Sequence, residues 1–173
     1  MIRVVPLRKA AVAGVAGAVA WEIVARALIV AGLPLFDIVR ELGTLAFSDG
    51  QPVAWWLAGM AAHALVGVAW AVFYGYFFWA RLDLPPPLQG LIFAGAPALA
   101  AFLFVVPQVR LMHLDQSVAQ LDWTMLRAML ELPTVAGLVI GHAVLGLTTG
   151  ALYTHPVGYP STRTDRPRPL PLP

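Results

Sequence analysis

Two histidines with similar local sequences are the side chains most suited to chemistry. His63 and His142 each stand four residues before a glycine, in the strings HALVG and HAVLG. Both fall inside long apolar stretches, about 15 Å below the predicted outer surface at a rise of ~1.5 Å per residue. Neutral imidazoles on facing helices could ligate a b-type haem, with Gly67 and Gly146 leaving room for a porphyrin face. Alternatively, each histidine makes a hydrogen bond across a helix interface and holds the helices together.

A carboxylate and a guanidinium occupy the first apolar stretch. Glu22 and Arg26 are four residues apart and can pair on one helix face. Their predicted depth is similar to that of the histidines, which gives an intramembrane polar cluster of Glu22, Arg26, His63 and His142. The pair is interpreted either as a structural ion pair or as part of a proton or small-solute pathway. No metal site is predicted, because Arg26 occupies the carboxylate at this level.

Small residues accompany both histidines. Five glycines are predicted to allow close helix contacts: Gly59, Gly67 and Gly75 in the row of His63, and Gly146 and Gly150 after His142. Polar residues on such faces point into a bundle and away from lipid.

The elements that position these residues follow from composition. The chain has 173 residues, 60% of them hydrophobic and 12% charged, with a mean hydropathy of +0.77. Four apolar stretches are long enough to cross a bilayer, at 10–35, 53–79, 88–107 and 132–153. The predicted fold is therefore an all-α membrane protein, a four-transmembrane-helix bundle over residues 1–160. Residues 161–173, rich in proline, are predicted to be an unpacked cytoplasmic tail.

Charge sets the predicted orientation and excludes one class of partner. Seven Lys and Arg residues flank the segments on the side of the termini, and three lie in the other connections. By the positive-inside rule both termini are predicted to be cytoplasmic. The basic residues are scattered, so no nucleic-acid binding is predicted although the pI is near 9.4. Cysteine is absent, which excludes disulfides and thiolate chemistry.

The two outer connections show helical periodicity. Residues 36–47 and 111–130 carry apolar side chains at three- and four-residue intervals, which predicts two amphipathic helices at the outer interface. Together with the two histidine strings, this arrangement predicts an internal repeat of span, interfacial helix and span. The copies would be related by a pseudo-twofold axis along the membrane normal.

No motif in the sequence indicates a particular reaction. The sequence has no nucleophile elbow, zinc-protease helix, phosphate loop or dinucleotide fingerprint, so an enzyme is not predicted. The favoured function is a structural or accessory component of a membrane assembly, in a homo- or hetero-oligomer within the lipid bilayer. The alternatives are a haem-binding electron carrier using His63 and His142, and a proton or small-solute pathway.

The order of motifs from residue 53 to residue 153 resembles a known group of proteins. The residues that carry the resemblance are His63 and Gly67, the aromatic run Trp70, Tyr74 and Tyr76, the turn Leu84-Pro85, the glycines Gly90 and Gly95, and finally His142, Gly146, Gly150 and Tyr153. This order is similar to that of small uncharacterised bacterial four-span membrane proteins, catalogued as a domain of unknown function. The resemblance implies the fold and an inner-membrane location, but no activity. The Glu22–Arg26 pair and the proline-rich tail depart from that pattern.

Overall fold

The computed structural model describes residues 5–33, 37–79, 84–113 and 130–154, most of which are helical. In chain order the helices are α1 (Leu7–Val30), α2 (Ile38–Thr44), α3 (Pro52–Phe77), α4 (Pro86–Phe93), α5 (Gly95–Ala100), α6 (Val106–His113) and α7 (Leu132–Thr154). A π-helical turn, Ala101–Val105, joins α5 to α6. Because α4 to α6 follow one path, they are together called span three.

Four helices are long and apolar enough to cross a membrane. They cover Leu7–Val30, Pro52–Phe77, Pro86–Gln108 and Leu132–Tyr153, and a bilayer needs roughly 20 apolar residues per helix. Large apolar side chains such as Val12, Ile23, Leu65 and Leu99 are exposed on the outside of the bundle, where lipid and not water is the compatible solvent. The prediction of a four-span helical membrane bundle is confirmed.

The end of α1 differs from the sequence-based boundary. The helix ends at Val30 and not near residue 35, because Gly32 adopts a positive φ of 87° that closes it. The amides of Gly32 and Leu33 donate to carbonyls of the last turn, at 2.9 and 3.0 Å. Glu22 therefore lies only eight residues before the helix end, or about 12 Å along the axis. Glu22 is therefore closer to the end of its helix than it would be at the midplane position that the sequence predicts.

Span three is interrupted by proline. Pro97 has no amide hydrogen for the carbonyl of Phe93, four residues earlier, and α4 ends at Phe93. The π-helical turn follows, and it contains Leu103, whose carbonyl faces the same loss of a donor at Pro107. Two prolines thus divide one apolar span into three short helices.

The spans are arranged in the order α3, α1, α7, span three. Helix α1 packs along both α3 and α7, α7 packs along α4, and α3 and α7 scarcely touch. Lys9, at the start of α1, lies over the rings of Trp79 and Tyr153, 5.8 and 5.5 Å from their centroids. The start of α1 and the ends of α3 and α7 therefore share one end of the bundle, here called the Lys9 end. The opposite end carries α2 and is called the α2 end.

The predicted outer helices have different outcomes. In place of the first, predicted over 36–47, the structure has the seven-residue helix α2, which packs on α3. Its N-cap, Asp37, accepts a hydrogen bond from the amide of Arg40 at 3.0 Å, as capping residues do. Most of the second predicted helix, 111–130, and the whole tail 161–173 lie outside the described residues.

Candidate functional site

Glycines bring the helices of the bundle into backbone contact at its centre. A Cβ atom added to Gly67 would lie 2.6 Å from the carbonyl oxygen of Gly14, and one added to Gly14 would lie 2.5 Å from that of Gly67. The same reciprocal arrangement joins α7 to α4 through Gly146 and Gly90. Both pairs allow a helix-to-helix distance that no side chain would permit.

The remaining predicted glycines also lie against neighbouring segments. Gly59 faces the carbonyl of Val39 in α2, Gly75 faces the phenol of Tyr153, and Gly150 faces the carbonyl of Pro86. These contacts fix α2 on α3 and α7 on α4, and the Tyr153 side chain provides one contact between α7 and α3 at the Lys9 end.

The two histidines meet at one tryptophan. The ring centroid of Trp21 lies 4.8 Å from that of His63 and 4.5 Å from that of His142, with interplanar angles of 86° and 67°. Sequence reasoning did not single out Trp21. A signal was present, because Gly17 stands four residues before Trp21 and Gly141 stands directly before His142. A Cβ atom on Gly141 would overlap the indole of Trp21.

The imidazoles differ in their hydrogen bonds. Nδ1 of His142 lies 2.7 Å from the carbonyl oxygen of Leu138, one turn earlier in α7. Because a carbonyl only accepts, this nitrogen carries the proton, and Nε2 is left as an acceptor in the neutral ring. Nδ1 of His63 is buried and has no hydrogen-bond partner within the part of the chain that the structure describes. The predicted hydrogen bond across an interface is therefore not what His142 makes, since it bonds within its own helix.

A small cavity lies beside the histidines, between α3 and span three. Its volume is about 70 Å³. The residues that line it are Trp21, His63, Val66, Gly67, Trp70, Pro97, Ala100, Ala101, Val105, His142 and Leu145. Among the described residues the lining contains no charged side chain, and Val66 and Val105 are 46% and 38% exposed. The cavity is thus an uncharged space with its rim on the lipid-facing side of the bundle.

This packing does not fit the haem hypothesis. The spaces above Gly67 and Gly146, expected to receive a porphyrin face, hold the backbone of Gly14 and Gly90. One indole touches both imidazoles, and a 70 Å³ cavity is well below the roughly 300 Å³ at which pockets for organic ligands of ordinary size begin. The described residues also bring no three His, Cys, Asp or Glu side chains together for a metal ion.

A second polar group lies toward the α2 end. Nε of Arg26 donates to Oε1 of Glu22 at 2.5 Å, and Nη1 and Nη2 lie 2.8 and 2.9 Å from the two carboxylate oxygens of Asp37. Nε1 of Trp56 donates to the same Glu22 oxygen at 3.3 Å. One guanidinium thus joins α1 to the N-cap of α2, and the indole adds α3. Sequence reasoning missed Asp37 as a partner because the turn at Gly32 brings it back to α1.

The predicted polar cluster is therefore divided. Glu22 and Arg26 form the ion network near the α2 end, while His63 and His142 lie with Trp21 at the centre. Among the described residues, no hydrogen bond joins Glu22 to either histidine.

Aromatic rings close the bundle at the Lys9 end. Phe93 of span three contacts Tyr74 at 5.1 Å and Phe78 at 5.2 Å, and Tyr74 contacts Tyr153 at 5.5 Å. Tyr74, Phe93 and Tyr153 are almost completely buried. Span three thus meets α3 at this end and leaves it at the level of the histidines, where the cavity lies.

The fold and the site together define a polytopic helical membrane protein. No family model, no curated protein and no solved structure matches this chain. The resemblance drawn from the sequence motifs accordingly identifies no family. The assignment of four spans rests on the length and composition of the helices in the structure.

Proposed function

We propose that this protein is a structural or accessory component of a membrane assembly, in the inner (plasma) membrane with both termini in the cytoplasm. The observation that carries the proposal is the separation of the polar groups. The ion network lies near the α2 end and the histidines at the centre, and buried aromatic rings close the Lys9 end. A conducting pathway needs polar groups in succession across the membrane, so this arrangement favours a scaffold over a proton or solute pathway.

Glycine packing supports a rigid scaffold. Backbone contacts hold α1 to α3 and α4 to α7, whereas Gly95 on span three is exposed and has open space where a Cβ atom would be. A partner helix could approach span three closely at this position.

Native gel electrophoresis of the full chain, extracted from its own membranes in mild detergent, tests the assembly. We expect a complex larger than the monomer, and we expect Gly95→Leu to weaken it while leaving the unfolding transition of the chain in place. Ala61→Leu, at an exposed alanine of α3, is the matched control. Migration as a free monomer, before and after chemical cross-linking in intact membranes, would reject the assembly.

The orientation is tested by cysteine labelling, which has no background because the chain contains no cysteine. Asp49→Cys at the α2 end should react with a membrane-impermeant maleimide in intact cells, and Leu7→Cys at the Lys9 end should react only after the membrane is opened. The reverse pattern would place the termini outside.

We also propose that the chain is an internal repeat of two units. Support comes from the matching contacts of Gly14 with Gly67 and of Gly90 with Gly146, where the second glycine of each pair follows a histidine by four residues. The repeat requires a helix within 114–129 that packs on α7 as α2 packs on α3. Maleimide reactivity of single cysteines along 114–129 should then vary with a helical period of ~3.6 residues, and uniform reactivity would count against the repeat and against the second interfacial helix.

A further inference from the structure

The cavity beside the histidines arises where two spans separate. Phe93 holds span three against α3 at the Lys9 end, and toward the centre the regular α-helix is interrupted near Pro97 and by the π-helical turn. Ala100, Ala101 and Val105 then face the cavity instead of packing on α3. Interruptions of this kind in helices occur frequently at functional sites.

The polar groups at the cavity have unused hydrogen-bonding capacity. His63 is only 6% exposed, and its Nδ1 has no partner among the described residues. Nδ1 of His142 donates its proton to the carbonyl oxygen of Leu138, which leaves Nε2 as an acceptor. A buried polar atom without a partner is costly, and in the middle of a membrane it marks a functional site by default. Neutral His63 offers one donor and one acceptor and His142 a second acceptor, so the two rings together can donate one hydrogen bond and accept two.

The rest of the lining selects the chemistry of a ligand. Trp21, Trp70 and Leu145 supply aromatic and apolar surface, and none of the lining residues is charged. An ion would lack a counter-charge here, so a ligand must be neutral. The volume of about 70 Å³ is half that of a dry cavity of ~150 Å³ that accepts benzene. It can therefore hold the head of a molecule, while the remainder stays outside.

We propose that this cavity binds the hydroxyl or carbonyl head of a neutral, lipid-soluble molecule, whose apolar part leaves between Val66 and Val105 into the bilayer. His63 and His142 make the hydrogen bonds to the head, and Trp21 and Trp70 contact its apolar portion. This binding site does not depend on membership of an assembly, because all of its lining residues belong to one chain.

Tryptophan quenching tests the proposal. The full chain in lipid nanodiscs is titrated with 4-bromobenzyl alcohol, whose bromine quenches nearby tryptophan, and with 4-bromotoluene, which lacks the hydroxyl group. We expect saturable quenching by the alcohol, with half-saturation at a membrane concentration about tenfold lower than for the toluene, as one or two buried hydrogen bonds provide. Quenching that rises linearly and equally for both compounds would mean simple partition into lipid and would overturn the proposal.

Two variants assign the signal to this cavity. Ala101→Leu fills the cavity and should raise the half-saturating concentration of the alcohol at least tenfold. Ala69→Leu, at an exposed alanine of α3 outside the lining, should leave that concentration unchanged.

His63→Phe should weaken binding of the alcohol about tenfold and leave binding of the toluene unaffected. If Ala101→Leu does not fold, Val105→Phe narrows the rim and takes its place. Saturable binding that persists unchanged in whichever of these two variants folds would place the site elsewhere and reject the proposal. Loss of the native complex in gels, with this binding intact, would instead reject only the assembly.

Discussion

The α1–α3 pair and the pair formed by span three and α7 are joined in the same way but differ in the continuity of their first helix. Each pair has a reciprocal glycine contact, Gly14 with Gly67 and Gly90 with Gly146. Helix α1 runs unbroken from Leu7–Val30, whereas span three is divided near Pro97 and again at the π-helical turn. The glycine contact thus sets how closely two helices approach. The continuity of the first helix determines which further helices its other faces contact.

The consequence of this difference is the central site. The unbroken α1 packs on both α3 and α7, so its Trp21 reaches both histidines. Within the described residues, span three packs mainly on α7 and leaves a cavity on the side of α3. A membrane bundle can therefore build a tight interface and an open one from similar pairs of helices.

The largest expected effect is at the shared glycines. Gly67→Val and Gly146→Val should each lower the free energy of unfolding in detergent by about 3 kcal/mol, since a side chain there meets backbone that cannot move aside. Denaturant titration followed by circular dichroism measures the change. Gly95→Val is the matched control, because its added atoms have open space. A large loss of stability in only one of the two pairs would show that the two glycine contacts are not equivalent.

The ion network of α1 should come next. Arg26→Ala leaves Glu22 buried, and among the described residues its one remaining hydrogen-bond partner is the Trp56 indole. We expect a loss of about 2 kcal/mol, a value discounted because Arg26 is partly exposed. Adding Glu22→Gln should recover part of this loss, since the unpaired charge is removed. If the double variant is less stable than Arg26→Ala, the cost lies in packing and not in charge.

Pro97→Ala tests the origin of the difference between the two pairs. The substitution restores a backbone donor for the carbonyl of Phe93, and we expect a gain of about 1 kcal/mol, less than the full helix-interior penalty because membrane helices accommodate proline. Saturable quenching by 4-bromobenzyl alcohol should weaken in parallel as span three becomes a regular helix beside the cavity. Pro52→Ala, at the first turn of α3 where proline is tolerated, should change neither quantity.

The smallest effect is expected at the outer surface of α2. Arg40 pairs with Asp49 through hydrogen bonds of 3.0 and 3.3 Å, which raise the pKa of its guanidinium. Both side chains are exposed, so Arg40→Ala should cost less than about 0.5 kcal/mol, and 1 M NaCl should remove most of that. A cost equal to that of Arg26→Ala would show that the position of α2 depends on its exposed side as much as on α1.

Particular residues show how far sequence reasoning reached. The four spans followed from apolar length, and the glycines beside the histidines were singled out by their four-residue spacing. Glu22 lies nearer the end of its helix than the sequence-based span implied, because a single glycine, Gly32, ends α1 early. Trp21 was passed over because a tryptophan in an apolar stretch has no special pattern of its own. Its importance comes from Gly141, in a helix more than a hundred residues further along the chain.

The sequence by itself determined the class of the protein, since long apolar stretches with few charges have only one stable solvent and must form helices to satisfy their backbone there. It also determined which faces are small enough for close packing. Only the tertiary structure decided which helices share those faces, that Arg26 is shared between Glu22 and Asp37, and that a cavity opens between α3 and span three. These outcomes depend on contacts between distant segments, on the turn at Gly32 and on the interruption of the helix near Pro97. A local pattern of residue types predicts neither the contacts nor the turns. Lipid gives all outward-facing apolar side chains the same environment, so the shapes of the helix surfaces determine which helices pack together.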